Sequence, residues 1–236
     1  MTLKKKKKIY EGKAKKIYRT EEPEQLIQEF KDDATAFDGQ KREVVKGKGA
    51  INNQISAFLF NYLERFNIPT HYIKTLSPRE MLIKSLEMIP VEIVIRNIAA
   101  GSMVKRYGLE EGKELDCPVV EFYLKDDERH DPMINQSHII AFGLAKADEI
   151  KIIERIASKI NAVLKSFFMR RQIKLVDFKL EFGRYQNKIL LGDEISPDTC
   201  RLWDTSIGEK LDKDLFRFDT GNIEEAYEEI KNRILK

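Results

Sequence analysis

The stretch from Leu175 to Gly183 reads LVDFKLEFG, with apolar and charged residues alternating. Side chains in a strand point to opposite faces in turn. Val176, Phe178, Leu180 and Phe182 then form one apolar face for a core, while Asp177, Lys179 and Glu181 line the other. A solvated strand of alternating charge is the plain alternative. A return strand from Ile189 brings two more carboxylates, Asp193 and Glu194, to the same neighbourhood. A three-residue loop or a bulge sets Glu181 opposite Asp193, whereas a two-residue loop offsets them by one. Facing carboxylates repel unless a cation lies between them, and Mg²⁺ is the usual cation where carboxylates meet phosphate oxygens. The turn Ser196–Arg201 follows with a further acid, Asp198, and an arginine.

Two other constellations accompany this one. Glu92 and Arg96 share a face of the segment Pro90–Arg96, which leads into Asn97-Ile98-Ala99-Ala100-Gly101-Ser102. Small residues and Ser102 suit a tight loop opening a short helix, where free N–H groups attract anions. A structural ion pair and a helix cap explain the same residues equally well. Glu11-Gly12-Lys13-Ala14-Lys15 sets two lysines beside a glycine turn but is not a P-loop. Gly47-Lys48-Gly49 lacks the third glycine of a dinucleotide fingerprint. His71, His130 and His138 are scattered and give no zinc spacing. No G-x-S-x-G elbow points to a hydrolase.

The elements that must carry these residues are legible from periodicity. Ile9-Tyr10 and Lys16–Tyr18 are β-prone on either side of a glycine turn, and Leu26, Ile27 and Phe30 suggest a further strand or short helix. Ile51, Ile55, Phe58, Leu59, Tyr62, Leu63 and Phe66 recur at helical spacing up to Asn67-Ile68-Pro69. Strands are predicted near residues 71–76 and 91–96. A long helix is predicted over 148–170, with Ile150, Ile153, Ile156, Ile160, Leu164 and Phe167 inward. Residues 174–193 read as a hairpin turning within 184–188, and a last helix spans 222–235. Strands and helices mix without βαβ alternation, so the class is α+β with largely antiparallel sheets.

Composition bounds the function. With 236 residues there is room for one large domain or two small lobes. Lys and Arg number 42 against 39 acids, a near-balance that disfavours a dedicated nucleic-acid binder. No apolar run is long enough to span a membrane, and the basic start is not followed by a secretory apolar segment. Only Cys117 and Cys200 are present, so no disulfide framework is expected and the cytoplasm is the natural compartment. The run Lys4–Lys8 reads first as a solvated basic tail; a binding module for RNA or a membrane surface is the rival from another class.

Two segments, IPVEIVIRNIAAGS at 89–102 and LVDFKLEFG at 175–183, resemble the signatures of the SAICAR synthetase family. YEGKAK at 10–15, KRYGLEEG at 105–112, HDPMIN at 130–135 and GDEISPDTCRLWD at 192–204 are similar to that family as well, in the right order. The resemblance implies an α+β, two-lobed fold. An N-terminal antiparallel β lobe, residues 1–85, would cover ATP, and an α+β lobe, residues 86–236, would supply the metal and substrate sites. It implies an ATP-dependent ligase of purine synthesis. Carboxyaminoimidazole ribotide (CAIR) and L-aspartate would be joined to give SAICAR, ADP and phosphate through an acyl phosphate. A homodimer is common in bacterial members.

Carried over by position, Lys13, Lys15 and Lys125 match lysines near the ATP phosphates, and Glu181 and Asp193 match Mg²⁺-linked carboxylates. Arg96, Ser102, Lys179, Asp198 and Arg201 match positions around the ribotide. Lys179 and Asp198 are the catalytic candidates, Asp198 as base. Arg217 is expected near aspartate and Asp131 near substrate. The variable segment Gln40–Val45 carries no chemistry, and Cys200 is expected to be a bystander. A small-molecule kinase on a related scaffold is the alternative; it would form ADP without aspartate.

Overall fold

The structure is a computed structural model that describes residues 4–36 and 41–236, with the side chain of Ala36 not described. Gln40 of the variable segment lies outside the described residues. In chain order the first strands are β1 (Lys8–Glu11), β2 (Lys15–Arg19), β3 (Gln25–Phe30), β4 (Asp33–Ala36) and β5 (Lys41–Val44). They are followed by α1 (Lys48–Glu64), β6 (Tyr72–Ser77), β7 (Glu80–Lys84), β8 (Glu87–Ile98), α2 (Ser102–Tyr107), β9 (Glu114–Leu124), β10 (Met133–Ile134) and α3 (Gln136–Ala141). The chain ends with α4 (Ala147–Met169), β11 (Ile173–Tyr185), β12 (Lys188–Leu191), β13 (Cys200–Asp204), α5 (Asp214–Phe218) and α6 (Ile223–Leu235). One antiparallel sheet has the order β1-β2-β3-β7-β6, and a second runs β10-β9-β8-β11-β12 with β13 also on β11. This is the α+β, antiparallel class read from the sequence.

Leu26, Ile27 and Phe30 resolve as strand, and 9–10 with 16–18 form the predicted hairpin arms. Lys5 does not trail in solvent, since its ammonium meets Glu29 and Glu80 of the first sheet. The long helix forms as predicted because Ile150, Ile153, Ile160, Leu164 and Phe167 stack at helical spacing against β11. Ala157 is fully buried on that stripe and Ile156 only half-buried. Each fully buried aliphatic or aromatic side chain here contributes about 1.5–3 kcal/mol. Acidic Asp148 and Glu149 favour its first turn, and Glu149 accepts from the Lys146 N–H at 2.8 Å.

Helix α1 departs from a simple amphipathic reading. Phe58 and Tyr62 are half-buried and Phe66 is exposed beyond the helix, while Lys48, Asn52, Asn53 and Ser56 are buried. The polar side is spent on loops: Asn53 donates to the carbonyls of Ser77 and Pro78, and Ser56 to that of Ile195. The glycine at 49 is dictated by close approach. A Cβ there would lie 2.7 Å from the Phe30 carbonyl oxygen, and the Gly49 N–H is capped by Asp32 at 2.9 Å.

The predicted hairpin is present, and its turn decides the register. Gln186 and Asn187 both have positive φ, 46° and 62°, the two-residue turn whose twist suits paired strands. Phe182 therefore pairs with Leu191, and the Gly192 N–H reaches the Glu181 carbonyl at 2.9 Å, so Asp193 is offset by one from Glu181. The strict alternation predicted for β11 also fails at one point. A register shift between Leu175 and Asp177 puts Leu175 and Phe178 in the main core, and Val176 in a separate cluster with Ile98 and Ala100. β5, which falls within the variable segment, and β7, β9, β10, β13, α3 and α5 were not predicted from the sequence.

The link from β13 to α5 holds a buried acid that titrates. Asp212 is 0% exposed, and its carboxylate accepts from the N–H groups of Leu202 and Asp214, each at 2.8 Å. Burial, reinforced by Asp214, pushes it up to about 7 from an ordinary value of 3.8. The folded state thus keeps a proton that the unfolded chain releases. This stabilisation is complete below the unfolded value and is lost as pH rises towards 7. His71, buried and held down to about 3, has the opposite slope in part of that window, so a difference measurement is needed. The melting temperature of D212N minus that of wild type should climb between about pH 4 and about pH 7 and then level off. A difference flat with pH would contradict the assignment.

Candidate active site

Strand β11 has β8 along one edge, but on the other it is served by two partners: β13 beside residues 173–178 and β12 beside residues 182–185. Between them the partner chain leaves the ladder as the loop from Gly192 to Thr199. Lys179 and Glu181 occupy this opening, which faces the first sheet across a cavity of about 740 Å³. Asp193 has a left-handed φ of 59° there, a conformation that Asp tolerates better than most residues. The backbone thereby turns the Asp193 carboxylate back towards Lys15 of β2.

Carboxylates and lysines interleave in this part of the cavity. The Lys179 ammonium lies 2.5 Å from Glu181, 3.0 Å from Glu92 and 3.7 Å from Asp193. Lys125 meets the second oxygen of Glu181 at 2.6 Å, and Lys15 bridges Asp193 and Glu194, the latter at 3.0 Å. Burial by itself would lower Lys15 and Lys179, yet the surrounding carboxylates hold both above the usual lysine range. Burial and Asp193 push Glu181 up, but Lys179, Lys125 and Lys15 prevail and keep it low. Asp193 is likewise held low by Lys15 and Lys179 against its burial. Glu92 moves the other way, raised by burial, with Glu181 adding to it. Lys13 stands at the rim, 2.8 Å from Asp127.

A second region is built from arginines. Arg96 of β8 donates to Glu121 at 2.6 Å, Asp177 at 2.8 Å and the Ser102 hydroxyl at 3.0 Å. Arg201 of β13 shares Asp177 at 2.8 Å and reaches Asp214 at 2.8 Å, and Asp214 also holds Arg217 at 2.5 Å. Arg201 lies flat against Gly101, where a Cβ would come within 2.5 Å of the guanidinium. The glycine before α2 is required by its backbone, at φ 56° and ψ −127°, which side chains rarely adopt. Glu121, Asp177 and Asp214 consume only part of the guanidinium donors of Arg96, Arg201 and Arg217, all three of which line the cavity.

The third region surrounds Asp198. Lys48, fully buried at the start of α1, donates to one carboxylate oxygen at 2.5 Å, and Tyr227 of α6 donates to the other at 2.6 Å. Burial opposes ionisation of Asp198, but Lys48 and Lys213 hold it well below the carboxylate range. Asp131 sits at the cavity edge with its carboxylate accepting from the Asp126 N–H at 2.8 Å. Burial pushes the Cys200 thiol far up, so it stays protonated.

Eleven of the twelve candidates therefore line a single cavity: Lys13, Lys15, Lys125, Lys179, Glu181, Asp193, Asp198, Arg96, Arg201, Arg217 and Asp131. Ser102 is exposed and joins them through Arg96. Sequence reasoning passed over Lys48, Asp214, Lys213, Tyr227 and Glu121. Lys48 was visible only as the middle of a failed glycine motif, and Tyr227 only as one more residue of an amphipathic stripe. A larger open groove of about 1140 Å³ lies between α4 and the β11–β12 turn. Its Arg184 is already paired with Glu149 and Glu87, and none of the twelve candidate residues lines it.

The donor set suits a hard cation. Glu92, Glu181 and Asp193 present only oxygens, all within reach of the Lys179 ammonium. Among the described residues no three His, Cys, Asp or Glu side chains close into a cage of their own. A cation shared between one or two carboxylates and phosphate oxygens fits that geometry.

Comparison with known proteins agrees with this layout. The model of the SAICAR synthetase family matches residues 8–234. A phosphoribosylaminoimidazole-succinocarboxamide synthase from Chloroherpeton thalassium is 57% identical over 233 residues, 99% of each chain. The crystal structure of the synthase of that name from Ehrlichia chaffeensis superposes with a TM-score of 0.95 at 46% identity, covering 97% of this chain and 98% of that one. A SAICAR synthetase solved in complex with ADP gives 0.93 at 53% identity, covering 95% and 96%. The chain belongs to the SAICAR synthetase family.

Proposed function

We propose that this protein is the ATP-dependent ligase that condenses CAIR with L-aspartate to give SAICAR, ADP and phosphate. The observation that carries the reading is the convergence, in one cavity, of a lysine–carboxylate cluster with an arginine-lined pocket. The first suits a nucleotide triphosphate and the second an anionic ribotide. ATP use is also in keeping with the ADP-bound relative.

Each region has a task. Lys13, Lys15 and Lys125 neutralise the ATP phosphates. Glu181 and Asp193 hold Mg²⁺, which when bound withdraws charge from phosphate oxygens. Arg96, Arg201 and Ser102 hold the ribotide, Asp131 closes the substrate edge, and Arg217 faces aspartate. Lys179 lies where the CAIR carboxylate meets the transferred phosphoryl group. A free carboxylate resists amines because it is anionic and its oxygen leaves poorly. Its oxygen therefore takes the γ-phosphoryl group first, giving an acyl phosphate, and transfer of this kind depends on positioning and charge neutralisation. The aspartate nitrogen then forms the C–N bond as phosphate departs.

We assign the nucleotide-covering lobe to residues 1–85 and the metal and substrate lobe to 86–236, since the two sheets divide there. The cytoplasm is the compartment in which the free thiols Cys117 and Cys200 persist. We also assign a homodimer, supported by exposed Tyr107 in contact with exposed Met133, and by exposed Ile140 and Phe142 nearby in sequence. No helix among the described residues is long and apolar enough to cross a membrane.

Purified protein supplied with Mg²⁺-ATP, CAIR and L-aspartate should release ADP and form a succinocarboxamide of the right mass only when all components are present. ADP formed without aspartate beside a stable phosphorylated product would establish a kinase instead. E181Q should lower turnover by about a hundredfold or more in protein that circular dichroism shows to be still folded. Near-normal activity in that variant would remove Glu181 from the metal site. Light scattering should give twice the monomer mass, and a monomer would refute the dimer assignment.

A further inference from the structure

Amide formation from aspartate needs a proton acceptor, because the amine arrives as an ammonium ion whose nitrogen has no free lone pair. Asp198 is poorly placed for this task. Lys48 and Tyr227 already donate to its two oxygens, and a carboxylate held so low has little proton affinity near neutrality.

Lys213, at the start of α5, differs from every other lysine in the cavity. Lys13 meets Asp127, Lys15 meets Asp193 and Glu194, Lys84 donates to the Thr70 carbonyl, Lys125 meets Glu181, and Lys179 meets Glu92 and Glu181. Lys213 lines the same cavity, and among the described residues its amine has no hydrogen bond or ion pair. Its own backbone is fixed, the N–H donating to the Pro197 carbonyl at 3.3 Å beside the Asp198 turn. The charged groups around the amine are Asp198 and Glu194 from the loop after β12, Lys48 from α1 and Arg217 one turn further along α5. Burial, together with the cations Arg217 and Lys48, brings Lys213 below the usual lysine range despite those two carboxylates. A desolvated amine among cations is the setting in which a lysine serves as a base.

We propose that Lys213 is the proton acceptor that frees the amine of the amino-acid substrate, an inference that rests on the ligase reading. Nζ of Lys213 takes one proton from the aspartate ammonium. The exposed lone pair attacks the acyl phosphate carbon, the C–N bond forms, and the C–O bond to phosphate breaks with its electron pair leaving on phosphate. The amide nitrogen loses its second proton to that phosphate, and Lys213 returns its proton to solvent.

The test compares two nucleophiles in wild type, K213M and K213R: saturating L-aspartate, and hydroxylamine, which is largely unprotonated at neutral pH and traps the acyl phosphate as a hydroxamate. In both variants the ratio of hydroxamate to succinocarboxamide rates should rise by about a hundredfold or more, the usual worth of a general base. Arginine stays protonated, so K213R should not rescue the aspartate reaction. Recovery in K213R would show an anion-binding cation and overturn the proposal, as would equal losses with both nucleophiles in a variant that melts like wild type. A wild-type protein that makes neither product would overturn the ligase reading itself, and this proposal with it.

Discussion

Carboxylates can be withdrawn from water beside one another only if cations are withdrawn with them, and the site is organised by that constraint. Glu92, Glu181, Asp193 and Glu194 stand within a few ångströms of Lys15, Lys125 and Lys179. None of these charges would survive burial unpaired. The network draws on β2, β8, β11, the residue after β9 and the loop after β12, so it exists only when both sheets are in place. Stability and the proposed chemistry are therefore coupled: the charges assigned to a triphosphate also join the two sheets across the cavity.

The same logic recurs in the arginine region. Asp177 and Asp214 alternate with Arg96, Arg201 and Arg217, giving a chain of charges across the cavity floor in which each acid serves two arginines. Each guanidinium is oriented by an acid yet keeps donors for a ligand, the pre-organisation that recognition of phosphate or carboxylate requires. Asp212, directly behind, avoids adding a further negative charge by retaining a proton up to about 7. Lys48 and Tyr227 tie the first and last long helices of the core to Asp198, so this turn at the cavity is held from both ends of the chain.

Much of this was legible in the amino-acid order. Alternation in 175–183 marked a strand with a charged face, periodicity marked α1, α4 and α6, and the signature stretches marked the family. Eleven candidate residues meet in one cavity because motif matching transfers position without needing contacts. What local pattern could not supply were residues whose role is defined by a distant partner. Lys48 and Asp198 are 150 residues apart, and Asp214 matters only because Arg201 and Arg217 fold onto it.

By itself, then, the sequence determined the class, the long helices α1, α4 and α6, the hairpin and the identity of most charged groups in the site, since these follow from side-chain period and residue type. Tertiary structure decided the hairpin register through a two-residue left-handed turn, the offset that brings Asp193 onto Lys15, and the shift that sends Val176 out of the main core. Among the described residues it also decided which lysine of the cavity has no hydrogen bond or ion pair. Such outcomes depend on which charges are buried together, and burial is a property of the assembled chain that no local window of residues contains.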